Sequence, residues 1–176
     1  MAVERQRRSE PRVRRLIPLS LLIVPALAAT ALAADHHGAV PARGPSGVTI
    51  KPLVKATIAD RVRTHAAGVR IRTTAPREVL GTSIVVAPGG TFGWHTHPGP
   101  VLVAVASGTL SLFEAHHGAC MKSSVGPGQA FVEDGHHVHL ARNDGTEPVQ
   151  IYATFLAPTG TTEFLTPAAD PGTCGA

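Results

Sequence analysis

Outside its first 33 residues, this chain lacks a surplus of charge of either sign. Six of its 16 basic residues and two of its 12 acidic residues lie in that leading segment, so ten of each remain in the rest. A nucleic-acid-binding protein places its excess Lys and Arg in the folded part, where they neutralise phosphates. The charge balance therefore excludes nucleic acid as the expected partner, and the formal net charge of +4 belongs to the N-terminus.

Long helical patterns are also missing, and aromatic residues are few, with one Trp and one Tyr. No stretch repeats its apolar residues at helical spacing over three turns, and only residues 56–67 are predicted as a short helix. Short runs of β-branched and aliphatic residues alternate with Gly, Pro and Asn-Asp turns, which is typical of an all-β sandwich or barrel. The predicted strands are 48–56, 69–73, 78–86, 93–97, 101–106, 109–113, 129–132, 137–142 and 149–156.

The N-terminus has the layout of a cleaved signal peptide over residues 1–33. A charged segment ends at Arg14-Arg15, and the apolar run LIPLSLLIVPALAATALA precedes a cleavage point after Ala33. A retained membrane anchor is the alternative, but the run of about 18 residues is near the lower limit for spanning a bilayer. Its two prolines favour cleavage, so we expect a secreted or periplasmic protein with no stable membrane anchor. The arginine pairs leave either the general or the twin-arginine export route open.

Only two cysteines are present, Cys120 and Cys174. An even count in a chain bound for an oxidising compartment predicts a disulfide between them. The alternative is a pair of free thiols, one of which would bind a metal. The disulfide would tie the C-terminal tail, residues 161–176, back to the loop that holds Cys120.

The remaining chain is predicted to form one domain. Residues 34–47 are rich in Ala, Gly and Pro and have no apolar periodicity, so we interpret them as a flexible linker. Residues 48–160 then hold the predicted strands and are long enough for a single barrel.

Two pairs of histidines lie at strand spacing. In the stretch TFGWHTHPGP, His95 and His97 are two residues apart, so on a strand their side chains point to the same face. Two neighbouring imidazoles can bind one transition-metal ion, and a third ligand should come from another strand. The segment GHHVHLARNDG offers His139, and His137 would share its face on a strand.

These two segments resemble the paired motifs of the cupin superfamily, a group of small β-barrels. The first motif has the form Gly…His-x-His…Glu…Gly, and the second has the form Gly…Pro-x-Gly…His…Asn. The matching residues are Gly89, His95, His97 and Gly108 in the first motif, and Gly128, His139 and Asn143 in the second. In the second motif, Asp134 stands at the proline position and His136 at the second glycine position.

The resemblance implies a single jelly-roll β-barrel with one divalent transition metal ion, whether iron, manganese, nickel, copper or zinc. In the family, the ion is bound by both motif-one histidines, the motif-one glutamate and the motif-two histidine. Here His95, His97 and His139 match, but Val101 stands at the glutamate position. The missing carboxylate leaves either a three-histidine site, as in cupin-like dioxygenases, or a site that has lost its metal.

Three hypotheses for the function remain open. The first is an exported, metal-binding, dioxygenase-like oxygenase that acts on a small molecule; Val101, Val103 and Val105 would line its barrel with small apolar groups. Its general base is not identified, although Glu133 and His137 are candidates and are also replacements for the missing carboxylate. The second is a non-catalytic extracytoplasmic module that binds a small ligand or a metal. The third is an inert structural barrel, which could form a homodimer through its edge strands.

Overall fold

The computed structural model of the chain describes residues 43–175. The predicted signal peptide, residues 1–33, and most of the predicted linker, residues 34–47, lie outside this range. No helix in the described range is long and apolar enough to span a membrane. The described residues form eleven strands and no helix, so the all-β prediction is confirmed: β1 Ser46–Ile58, β2 Arg63–Ala66, β3 Val69–Arg72, β4 Arg77–Thr96, β5 Val101–Ser107, β6 Leu110–His116, β7 Ala119–Val125, β8 Ala130–Glu133, β9 His139–Arg142, β10 Val149–Pro158 and β11 Thr166–Pro167.

Nine of these strands form one sheet that curves into a nearly closed barrel. The strand order is β7-β6-β9-β4-β10-β5-β8, and β1 and β11 also pair with β4. The 20-residue strand β4 is central because its first half pairs with β1 and β10, while its second half pairs with β9 and β11. Gly89 and Gly93 have φ of 70° where β4 passes from one set of partners to the other. Residues that have a side chain rarely adopt this backbone conformation, whereas glycine adopts it readily.

The core fills the interior of the barrel. In β5, Val101, Val103 and Val105 are buried while the residues between them are exposed, as the predicted alternation requires. The inward residues of β10 alternate in the same way and belong to the same cluster. Burying a Val or Ile side chain contributes about 1.5–3 kcal/mol. This alternation therefore contributes substantially to the barrel's stability.

The predicted short helix over residues 56–67 is wrong. Strand β1 continues to Ile58 and pairs with β4 along its length, so backbone hydrogen bonds to β4 determine its conformation. After it, β2 and β3 form a separate hairpin that turns at Ala67 and Gly68, whose φ angles are 48° and 80°. Two residues with positive φ are the requirement of a type I′ turn between strands.

The C-terminal tail is part of the barrel wall. Strand β11 pairs with the end of β4, and the Ala168 amide donates a hydrogen bond to the Trp94 carbonyl at 2.8 Å. A disulfide joins Cys120 of β7 to Cys174, as predicted, and no free cysteine is present in the described residues. Cys174 packs against the buried cluster of Trp94, Phe113 and Leu140 on the far side of β4.

Removing the disulfide is expected to destabilise the barrel. The bridge spans 54 residues of sequence, and closing a loop of that length contributes about 4 kcal/mol in the chain-entropy model. Urea unfolding of Cys120→Ser/Cys174→Ser should therefore show a lower free energy of unfolding than the oxidised parent protein. The parent protein with reductant is the matched control and should resemble the double variant. An unchanged midpoint, or two reactive thiols in the denatured parent, would contradict the structural role.

Candidate metal centre

Strands β4 and β9 bring three histidines together inside the barrel. His95 and His97 lie near the end of β4 with their side chains on one face, and His95 pairs directly with His139 of β9. All three are buried, with 2 %, 4 % and 4 % of their surface exposed. One ring nitrogen from each lies within 4.8 Å of the others, an arrangement that could hold a metal ion. The structure thus brings together the three residues that the sequence pattern selected.

Backbone carbonyl groups fix the orientation of all three rings. The Nδ1 atom of His95 lies 2.8 Å from the Gly93 oxygen, that of His97 lies 2.7 Å from the Phe164 oxygen, and that of His139 lies 2.9 Å from the His137 oxygen. Because a carbonyl oxygen only accepts hydrogen bonds, each Nδ1 must carry the hydrogen. Each neutral ring therefore presents the lone pair of Nε2 to the interior, as histidines that bind metals do.

Glu133, the last residue of β8, places a carboxylate beside the histidines. Its Oε2 lies 3.2 Å from Nε2 of His97, and its Oε1 lies 3.3 Å from Nε2 of His139. These are ion-pair distances, yet neither nitrogen makes a well-directed hydrogen bond. Two buried polar atoms without such a partner are costly. The donor set therefore fits a cation that both nitrogens would contact.

Burial and neighbouring charges shift the pKa values in this cluster. Burial, followed by the proximity of His139, lowers the pKa of His95 to about 3, so this ring stays neutral. Burial opposes ionisation of Glu133, but contacts with His139 and His97 outweigh it and lower the pKa of this carboxyl to about 2. Burial also opposes the charging of His139, but the Glu133 carboxylate outweighs it and raises the pKa of that ring. A metal ion would therefore compete with a proton for His139.

The cavity beside the histidines is small and apolar. It measures about 90 Å³ and is bounded mainly by aliphatic and phenyl groups. A cavity of this size is well below the range of about 300–1,000 Å³ that drug-sized ligands occupy. Its lining includes Val101, Val103, Phe131, Ile151 and Phe155, together with His95, His97 and Glu133. A ligand that enters beside the histidines would have only a few non-hydrogen atoms.

The structure separates the two candidates for the general base. Glu133 lies in the cluster, whereas His137 lies in the loop before β9 and its ring lies beside that of His116, at 4.6 Å between centroids. The expected shared face for His137 and His139 is therefore wrong, because residue His136 adopts a φ of 68° and the strand begins only at His139. His137 contributes to the centre through its backbone carbonyl alone.

Two contributions to the centre have little or no signal in the sequence. Phe164 lies in the tail and acts through its carbonyl oxygen, which any residue could supply. The position of Glu133 depends on the register between β5 and β8, which places it opposite Val101. Only the density of His and Glu near residue 139 hinted at it.

Asn143, the last residue of the second motif, has a structural role. It is 1 % exposed, and its Nδ2 donates hydrogen bonds to the carbonyls of Val86 and Glu147 at 3.0 and 2.7 Å. Its Oδ1 accepts a hydrogen bond from the Gly145 amide at 2.9 Å. The side chain therefore fixes the turn after β9 against β4, outside the histidine cluster.

Residues 82–155 match the family model for the cupin domain. No curated protein matches the chain.

Several solved structures are similar to the chain. A cupin domain of an XRE-family transcriptional regulator from Enterobacter cloacae is 20% identical, with 64% of this chain and 98% of that chain covered and a TM-score of 0.42. A cupin superfamily protein from Desulfitobacterium hafniense is 15% identical, with coverages of 68% and 84% and a TM-score of 0.45. Bacillus subtilis oxalate decarboxylase, described with Mn(II) centres, is 20% identical, with coverages of 47% and 22% and a TM-score of 0.42.

Replacing Asn143 should test its structural role. Asn143→Ala removes the donor from two buried carbonyls and the acceptor from one amide, so we expect the free energy of unfolding to fall by about 3 kcal/mol. Gln129→Ala is the matched control, because Gln129 is exposed and accepts a single hydrogen bond from the Gly126 amide. Urea unfolding measures both variants. Equal stabilities for the two would show that the buried network does not fix the turn.

Proposed function

We propose that the part of the chain that matches the cupin domain model, residues 82–155, binds one divalent transition metal ion through His95, His97 and His139. One observation carries the proposal. Each of the three buried rings directs Nδ1 to a backbone carbonyl, which leaves three Nε2 lone pairs close together. Histidines that serve only as core residues would have no need for three such orientations around one point. Iron, manganese, nickel, copper and zinc all suit imidazole ligands to different degrees.

We further propose that the bound metal serves a dioxygenase-like oxygenase with a small substrate. The ion would supply a positive centre with open positions, beside which substrate and oxygen can bind. The chain's own contribution is to hold the three rings rigidly and to keep water out of the apolar cavity. Glu133 is the ionisable carboxylate nearest the rings and is the candidate to hold or move a proton.

A non-catalytic binding module is the second candidate function. The small cavity favours it, because a volume of about 90 Å³ leaves room for a ligand of only a few non-hydrogen atoms. Such a module would capture a metal or a small ligand outside the cytoplasm. The two candidates share the metal site and differ in whether the bound ligand is turned over.

We propose that the protein works in the periplasm or outside the cell. The disulfide between Cys120 and Cys174 supports this location, because such bonds persist in oxidising compartments. The N-terminal sequence pattern points the same way. The partner would be a small molecule rather than a macromolecule with a large interface.

Elemental analysis of the exported protein, prepared without a histidine tag, tests the metal site. We expect close to one transition-metal ion per chain, which should disappear in His95→Ala/His97→Ala and fall strongly in His139→Ala. His65→Ala is the matched control, because His65 lies on the exposed hairpin and should leave the metal content unchanged. All variants should keep the strand-rich circular dichroism spectrum of the parent.

Absence of metal from the parent protein after reconstitution with each of the five ions would overturn the proposal. Equal metal content in the parent and the double variant would do the same. Either result would leave a binding module for an organic ligand and an inert structural barrel as the remaining hypotheses.

A further inference from the structure

Val101 leaves a gap in the donor set that the family resemblance implies. The residue is 1 % exposed and faces the cavity beside the histidines, but its side chain has no donor atom. A metal ion held only by three neutral imidazoles would keep its full charge of two in an apolar cavity. Burying an uncompensated charge is costly, so an anionic group within reach would strengthen binding.

The next strand offers that group at the same level of the barrel. Glu133 of β8 pairs directly with Val101 of β5. Side chains of directly paired residues lie on the same face of a sheet, with their Cβ atoms about 4.5–5.5 Å apart. A glutamate side chain is long enough to cross this distance. The carboxylate of Glu133 can therefore reach the space that a carboxylate at position 101 of β5 would occupy.

We propose that Glu133 is the fourth protein ligand of the metal and replaces, from the neighbouring strand, the carboxylate absent at Val101. The inference rests on the proposed metal site. The two carboxylate oxygens already lie 3.2 and 3.3 Å from Nε2 of His97 and His139, the two nitrogens that lack a directed partner. The side chain is 12% exposed, so the cavity holds it in place with little access to water.

This assignment has a consequence for metal preference. A carboxylate lowers the net charge of a divalent site from two to one, and oxygen ligands suit Mn²⁺ better than they suit copper or zinc. Removing the carboxylate should therefore weaken Mn²⁺ binding more than Zn²⁺ binding. A residue that only positioned the rings would weaken both ions to the same extent.

Titrations of Mn²⁺ and Zn²⁺ into the metal-free protein, followed by calorimetry and by the electron paramagnetic resonance of Mn²⁺, test the assignment. We expect Glu133→Gln to weaken Mn²⁺ binding by about 100-fold or more, because changes to outer hydrogen bonds alone cost about 10- to 100-fold. Glu114→Gln is the matched control. Glu114 pairs with His139 across the strands, but its side chain is 44% exposed and is directed to the surface beside His116.

A carboxylate moved from position 133 to position 101 tests whether Mn²⁺ affinity can be restored. Val101→Glu/Glu133→Gln should recover most of the lost Mn²⁺ affinity, because the two positions face the same point from paired strands. Glu133→Asp, which shortens the reach without removing the charge, keeps the test decisive if the double variant unfolds, and it should bind Mn²⁺ weakly. Unchanged Mn²⁺ affinity in Glu133→Gln, or equal losses for both ions, would overturn the assignment while leaving the three-histidine site intact.

A second inference comes from the β2–β3 hairpin, which extends from the end of the β1–β4 pair. Its four residue pairs place Arg63 opposite Arg72 and His65 opposite Arg70. Paired residues and residues two apart on a strand share a face, so one face of the hairpin carries four basic side chains. Every residue of both strands is exposed.

Within the described residues, no acidic side chain neutralises the arginines on this face. None of the three arginines on this face lies within 4.0 Å of a carboxylate there, whereas Lys55 pairs with Glu78 and Arg142 with Asp144. Like charges in directly opposed positions destabilise a hairpin. Outside the leading segment, basic and acidic residues are equal in number. The hairpin face therefore has a local excess of positive charge that the rest of this part of the chain does not share.

The opposite face of the hairpin is apolar. It consists of Thr64, Ala66, Val69 and Ile71, and the last two are 61% and 47% exposed. We propose that this hairpin docks on an anionic lipid surface, with its apolar face in the boundary between headgroups and acyl chains. An element with one basic and one apolar face binds such surfaces reversibly. A nucleic acid would neutralise the arginines but would leave Val69 and Ile71 in water.

Co-sedimentation with phosphatidylcholine vesicles, with and without phosphatidylglycerol, tests this docking. We expect binding only to the anionic vesicles, decreasing as salt is added because salt screens exposed charges. Arg70→Gln/Arg72→Gln should weaken it by about 30-fold, since each basic residue near an anionic surface contributes a factor of about five and the two factors multiply. Arg43→Gln/Lys51→Gln, which removes two charges elsewhere, should bind like the parent.

Absence of binding to anionic vesicles, or equal binding by the two double variants, would overturn the docking proposal. Binding to a DNA duplex without binding to vesicles would overturn it in favour of a polyanion site. Val69→Ser/Ile71→Ser separates these outcomes further, because it should weaken binding to vesicles and leave attraction to a polyanion unchanged.

Discussion

The pairing of β4 with β9 is the constraint on which the rest of the site depends. It sets His95 directly opposite His139, while the two-residue spacing of β4 adds His97 on the same face. The backbone hydrogen bonds between β4 and β9 thus determine the separation of the three rings. Direct contacts between the rings are not needed to set it. The bend of β4 at Gly89 and Gly93 lets the same strand join both walls of the barrel. A single long strand therefore links the core to the site.

The centre also shows how a buried charge is accommodated. Three imidazoles and one carboxylate occupy the apolar interior, and burial opposes the ionisation of His95, His139 and Glu133. The contacts of Glu133 with His97 and His139 reverse that tendency for the carboxyl group. Binding inside a barrel depends on where the donor atom of a side chain lies, whichever strand carries that side chain. Side chains at paired positions on neighbouring strands point to the same part of the interior. A carboxylate on β8 is therefore directed to the same part of the interior as a carboxylate at Val101 of β5 would be.

Local patterns in the sequence sufficed to predict the all-β fold, the histidine triad and the disulfide. Alternation along a strand and the spacing of His95 and His97 are short-range properties, and the match to both motifs adds the third ligand. The role of Glu133 depends on the register between β5 and β8, which no short segment encodes. The helix predicted over 56–67 failed for the same reason, because pairing with a distant strand outweighed local propensity. His137 was misplaced because one residue, His136, adopts a left-handed conformation.

The C-terminal tail links the disulfide between Cys120 and Cys174 to the orientation of the His97 ring. The carbonyl of Phe164 accepts the hydrogen bond from Nδ1 of His97, and β11 follows immediately and pairs with the end of β4. Two strand residues contribute little pairing energy, so the tail needs a further attachment. The disulfide through Cys174 supplies it and places the tail against Trp94, whose neighbour in the chain is His95. An oxidised tail thus limits the rotation of His97, and the disulfide becomes part of what keeps the three-histidine cluster preorganised.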